Sequence, residues 1–181
     1  MAEDVVDMAV HTGGLQAGPC RTRGLGLAGG AGWHAGLPAD LARAAAGMQL
    51  RTVDDAAARH LAGSYGDRAP AVLQLARGYL SGRLVEGHPV LEAEVVYCAR
   101  AEFCCTAVDF LARRSRLAFL DVAAARKARP PLPSSAHPLT PFSLQCLPRV
   151  VQLLGDELGW SRARRRGELA AGAVFLDTFA I

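Results

Sequence analysis

The sequence predicts an all-α protein: a compact bundle of about six to eight short helices, with a glycine-rich N-terminal loop and a proline-rich inserted loop. Three observations carry this. Apolar residues recur at three- and four-residue steps from Leu37 almost to the end. Capping and stop residues punctuate those stretches, and no two alternating runs separated by a turn offer a strand pairing. With 181 residues, 51% of them apolar, the chain can bury a core as one domain without metal or disulfide support.

The elements follow in order. "MAEDVVDMAV" sets Val5, Met8 and Ala9 against Glu3, Asp4 and Asp7, which predicts a short amphipathic helix that begins without a cap, as in an excised piece. Residues 12–36 are glycine-rich and aperiodic, a long surface loop or linker. Their "GLGLAGG" superficially matches a dinucleotide fingerprint but follows no predicted strand, so the setting that would aim a helix N-terminus at a pyrophosphate is missing. Pro38 suits the first turn of a helix through Ala46. Thr52 with Asp55 predicts the capped start of a helix stopped at Gly66, and Asp67 can cap the next, which carries Val72, Leu73 and Ala76 on one face. Pro89 can open a helix bearing Leu91, Val95, Cys98 and Glu102.

Within "FCCT" the chain should break. Thr106 and Asp109 have capping-box spacing, so a new helix is expected to start there and turn Val108, Leu111 and Ala112 inward. Asp121 can cap "VAAARKA". Five prolines between residues 129 and 146 forbid regular structure and predict an inserted surface loop. Val150, Val151, Leu154 and Leu158 then mark an amphipathic helix ended by Gly159, and Ser161 caps a last one bearing Leu169, Ala173 and Leu176.

Charge and cysteine usage narrow the function classes. The formal net charge is +3, but residues 92–166 hold twelve basic and seven acidic residues. The arginines lack interleaved aromatics and any zinc-finger or helix-turn-helix signature, so nucleic acid is not an expected partner. Five cysteines, two of them adjacent, do not form a disulfide framework and point to a reducing compartment. No run of eighteen apolar residues occurs, and the acidic start argues against a signal peptide or an arginine-rich transit peptide. Cys98, Cys104 and Cys105 with His88 lack paired zinc-ligand spacing, and small buried residues at a helix turn explain them better. His60 and His88 have no nucleophile patterned beside them.

The carboxylates read in the same way. Glu92, Glu94, Glu102 and Asp109 share a short span with Arg100, Arg113, Arg114 and Arg116. A carboxylate beside a guanidinium stays ionised, a poor acid at neutral pH but a good clamp between helices. These eight residues are therefore expected to form a structural ion-pair cluster, with Glu102 buried against Arg113 or Arg114; no residue is assigned to catalysis, cofactor or metal.

Read together, "HPVLEAEVVYCARAEFCCTAVDFLARRSRLAFLDVAAA", with AEV-x-Y, x-R-x-E, TAVD and the paired arginines in order, resembles the C-terminal domain of FAD-dependent glycerol-3-phosphate dehydrogenases and the related alpha-glycerophosphate oxidases. "HLAGSYGDRA" upstream and "LPRVVQLLGDELGWS" downstream extend the likeness over about residues 52–180. "MAEDVVD" is similar to the helix after that family's last flavin-contacting segment. The resemblance implies a parent enzyme that oxidises sn-glycerol 3-phosphate to dihydroxyacetone phosphate with FAD and reduces a quinone or oxygen. Flavin and substrate would bind upstream, and no FAD is expected on these 181 residues. Residues 1–36 would be a helix remnant and linker from the flavoprotein body, and 37–181 a helical cap with an insertion at about 129–146. The parent would associate peripherally with the mitochondrial inner membrane, toward which "CCTAVD" tilts, or with a bacterial plasma membrane. No EF-hand loop follows, so calcium control through such hands is not expected. An alternative from the residues alone is an independent module docking Arg113, Arg114, Arg116, Arg162, Arg164, Arg165 and Arg166 onto an acidic partner or an anionic membrane.

Overall fold

The computed structural model describes residues 2–126 and 146–179. The proline-rich insertion expected at 129–146 therefore lies almost wholly outside the described residues. Those residues form nine α-helices: α1 (Ala2–Gly13), α2 (Leu37–Gly47), α3 (Asp55–Tyr65), α4 (Ala69–Leu75), α5 (Glu92–Ala101), α6 (Leu117–Leu120), α7 (Val122–Arg126), α8 (Cys146–Glu157) and α9 (Arg162–Asp177). A π-helical segment, Asp109–Arg114, precedes α6. Among the described residues the only extended pairing is an isolated antiparallel bridge between Arg83 and Leu91.

The core is built around α5. Its residues Glu92 to Cys98 are all buried, because α4 covers one side and α8 another. A helix enclosed this way cannot keep the one-sided pattern of a surface helix, and two glutamates go inside with the apolar residues. Outside α5, α2 lies against α3 and α9 against α8, so Leu41, Leu61, Leu73, Leu91, Phe110, Leu117, Leu154 and Leu176 belong to one continuous cluster.

Several caps fall where the sequence placed them. Asp109 Oδ2 accepts from Thr106 N at 3.0 Å while Thr106 Oγ1 accepts from Asp109 N at 3.1 Å, the reciprocal bonds of a capping box. Asp121 Oδ1 accepts from Ala124 N at 2.8 Å, and Ser161 Oγ from Arg164 N at 3.1 Å. Gly159 ends α8 at φ +65°.

Three local expectations are corrected. Asp54, not Thr52, caps α3, accepting from Ala57 N at 2.9 Å; the Thr52 hydroxyl instead donates to Ser81 O. Asp67 leaves α4 uncapped and accepts from Gly32 N at 2.8 Å, tying down the glycine-rich segment. Pro89 lies outside α5, which starts after Leu91 because Leu84 N donates to Val90 O and Glu92 N to Gly82 O, holding residues 90 and 91 extended.

The glycine-rich segment is mostly exposed, with one firm anchor. Gly29 O accepts from Asp67 N at 2.9 Å, and Gly29 (φ +87°) and Gly66 (φ +55°) face each other. A Cβ on Gly66 would stand 1.9 Å from Gly29 O, so both positions need glycine for conformation and for space.

The break within "FCCT" is a left-handed stop. After α5, Cys98 O accepts from Glu102 N at 3.0 Å and from Cys104 N at 3.2 Å, with Phe103 between them at φ +52°. A non-glycine residue there costs about 1–2 kcal/mol. Arg116, at φ +58°, makes a second such corner before α6. Between the corners Ser115 N donates to Phe110 O at 2.8 Å, a five-residue step that widens the helix and buries Phe110 beside Leu111 and Ala112. Val108 is only half-buried.

Candidate functional site

Of the eight charged residues singled out in the sequence, Glu92, Glu94, Arg100 and Glu102 lie on α5 or at its C-terminal end. Glu94 is 2% exposed and fully matched with donors. Its Oε1 accepts from Leu91 N at 2.6 Å, and its Oε2 accepts from the Tyr65 hydroxyl at 2.8 Å and lies 2.8 Å from His60 Nε2. Burial, reinforced by the Glu94 carboxylate, pushes the Tyr65 phenol far above its ordinary range, so it stays protonated and serves as a donor. The Tyr65 ring meets Tyr97 edge to face at 5.2 Å between centroids. The network continues as Cys98 Sγ donates to Glu102 Oε2 at 3.0 Å, and Arg114 Nη2 closes it 2.5 Å from the same oxygen.

Two further pairs join α5 to α8. Arg149 grips Glu92 bidentately at 2.8 and 2.7 Å, and Arg100 grips Glu157 bidentately at 2.6 and 2.8 Å. In each helix the two charges are eight residues apart and in opposite order, Glu92 with Arg100 against Arg149 with Glu157. Eight residues correspond to about 12 Å along a helix axis, so the two pairs engage together only when α5 and α8 run parallel in one register. The Arg100 guanidinium holds the Glu157 carboxyl below the usual carboxylate range, and Glu92 raises Arg149.

Of the eight residues, then, Glu102 meets Arg114 across the helix break, while Asp109 pairs with Arg113 within one segment. Glu92, Glu94 and Arg100 find partners elsewhere, and exposed Arg116 joins no described pair. Sequence reasoning missed Arg149, Glu157 and His60 as partners; the mirrored eight-residue spacing on "EAEVVYCAR" and "RVVQLLGDE" was the available signal for the first two. It also missed buried Glu168, whose Oε2 accepts from Ala107 N at 3.0 Å and so caps the 107–114 helix from α9. No local pattern announces a cap supplied from a distant helix. Of the seven arginines that could form a docking face, Arg164 and Arg165 also carry acidic partners, Glu168 at 2.7 Å and Asp156 at 2.8 Å.

The arrangement fits clamping better than proton transfer. Each carboxylate in the cluster already accepts from a guanidinium, hydroxyl, thiol or backbone N–H. The three buried thiols are quiet: burial pushes Cys104 and Cys146 up to about 12 and Cys98 higher, while Cys20 and Cys105 are exposed and hydrogen bonding to Thr22 lowers Cys20. Among the described residues no group of three or more His, Cys, Asp or Glu is placed to hold a metal ion. A flavin does not fit "GLGLAGG" either: its Gly29 is spent against Tyr65 O and Gly66, and the segment runs through turns rather than from a strand into a helix. Among the described residues no helix is long and apolar enough to cross a membrane.

Comparison with known proteins identifies the family. The family model of the C-terminal domain of alpha-glycerophosphate oxidase matches residues 20–135. The chain belongs to that family. The mitochondrial glycerol-3-phosphate dehydrogenase of Arabidopsis thaliana is 40% identical over 189 residues, covering 99% of this chain and 27% of that protein. The mitochondrial enzyme of Mus musculus is 42% identical over 182 residues, covering 97% of this chain and 22% of its own length, and the human one is 40% identical with the same coverage. The chain thus spans about a quarter of the length of these curated relatives. No solved structure matches it.

Proposed function

We propose that this family member is the noncatalytic helical C-terminal domain of a flavoprotein that oxidises sn-glycerol 3-phosphate to dihydroxyacetone phosphate with FAD and passes the electrons to a quinone. Residues 37–181 form the cap, and residues 1–36 are the helix and linker that belong with the flavin-binding part. The observation that carries this reading is identity of about 40% running through nearly the whole chain to proteins named glycerol-3-phosphate dehydrogenase, of which it covers only about a quarter. The mutually matched charges along α5 support a structural role for the domain. The mitochondrial names of those relatives support a mitochondrial parent, and its peripheral association with the inner membrane is part of the same proposal. FAD, glycerol 3-phosphate and the quinone would be handled by the upstream domain.

The test is to purify the 181-residue chain and assay it with glycerol 3-phosphate and a dye acceptor. A folded, colourless, inactive protein is expected. Flavin retained in stoichiometric amount, or substrate-dependent turnover, would overturn the reading.

A further inference from the structure

Phe103 combines two features that work against each other in an isolated domain. Its backbone is held at φ +52°, where glycine is the usual residue, and its side chain is 92% exposed. Nothing about the corner is loose. Glu102 N and Cys104 N both bond Cys98 O, Glu102 is held by Arg114, and Asp109 Oδ2 accepts from Cys105 N at 3.2 Å and from Thr106 N. An over-determined corner that holds a large apolar ring 92% exposed to solvent is a mark of function rather than folding.

We infer that Phe103 is the anchor of an interface between this domain and the upstream part of the same parent polypeptide. The inference rests on the reading above, that the chain is one domain of a longer flavoprotein. Arg114 holds Glu102, the residue before the ring, and mostly exposed Arg113 holds Asp109, which accepts from Cys105 N two residues after it. An exposed aromatic ring is a common anchor at the centre of a protein interface, where it fits an apolar pocket. Size favours a tethered occupant over a second copy. Free molecules need roughly 800 Å² per partner to associate stably, far more than one ring supplies. A partner in the same polypeptide is present at an effective concentration in the millimolar range, where a small anchor suffices.

The experiment uses the full-length polypeptide carrying this domain, as wild type, Phe103→Ala and Phe103→Gly, and follows proteolytic release of the domain by cleavage within residues 12–36. Release is expected to be about tenfold faster in both variants. The 181-residue chain carrying Phe103→Gly, freed of backbone strain, should unfold at the same or a higher temperature than wild type. Equal release rates in all three proteins would overturn the inference. So would faster release accompanied by a lower unfolding temperature in both variants, since Phe103 would then serve the domain's own fold. Phe103-dependent dimerisation of the 181-residue chain, or Phe103-dependent binding to phosphatidylserine vesicles, would assign the ring to another partner and overturn it as well. Failure of the functional reading would appear separately, as absence of flavin or of glycerol 3-phosphate oxidation in the wild-type full-length protein.

Discussion

Helices α1 and α8 are each twelve residues long and amphipathic, yet α8 buries seven residues and α1 buries none. In α8, Leu147, Val150, Val151 and Leu154 go into the common core. In α1, Val5, Val6 and Met8 remain exposed, although the pattern that sets them against Glu3, Asp4 and Asp7 is equally regular. Periodicity states that a face is made to be covered; it does not state that the cover is in the same stretch of chain. The helical body satisfies its own patterns, whereas residues 2–28 hang from it through Gly29 and the Asp67 contact to Gly32.

The sharpest way to break this comparison is a matched pair of truncations. Leu154→Ala should destabilise the chain by about 2–5 kcal/mol in urea unfolding, as expected for a fully buried leucine, while Val6→Ala should change stability by less than about 0.5 kcal/mol. Equal effects would mean that α1 is part of the cooperative unit. Next in size, Arg149→Ala should cost about 3 kcal/mol, because it strands the Glu92 carboxylate in the core; adding Glu92→Gln should restore part of the loss. If the single and double variants unfold at the same denaturant concentration, Glu92 is not held by that pair.

Smaller effects test the ends of the elements. Thr106→Ala removes one half of the capping box and should cost about 1 kcal/mol by thermal unfolding. Smallest is the pH effect of the Arg100–Glu157 pair, whose arginine is 54% exposed. Since the folded-state pKa of Glu157 is depressed, its contribution is present above the unfolded carboxylate pKa and fades as pH falls through the folded one. Comparing wild type with Arg100→Ala between pH 7 and pH 3 should show a difference below about 1 kcal/mol that shrinks toward acid. A difference that grows toward acid would reverse the sign of the interaction.

Much of the fold was legible because helices announce themselves through local chemistry. The Thr106 and Asp109 box, the Asp121 and Ser161 caps and the Gly159 stop all act within four residues, a range that one sequence displays in full. Where two local signals competed, neighbours decided. Thr52 and Asp54 could each cap α3, and Thr52 was drawn off by Ser81 O, twenty-nine residues away. Pro89 permits a helix start, but the bridge to residues 82–84 kept the chain extended as far as Leu91. The candidate cluster was legible in membership and less so in pairing. The sequence placed Glu102 opposite the next helix's arginines, while the bidentate partners of Glu92 and Arg100 lie fifty-seven residues away, where only the fold brings them. The π-helical widening at 109–114 had no visible cause in the residues, and with it Phe110 was left off the inward face.

The mirrored charges of α5 and α8 carry a consequence for assembly. Were α8 to enter its groove upside down, Glu157 would face Glu92 and Arg149 would face Arg100, placing like charges together at both ends where matched ones now stand. Displacing it by one turn would leave all four without their partners. The pairs therefore act as a polarised connector, accepting the helix in one direction and one register whatever length of chain delivers it.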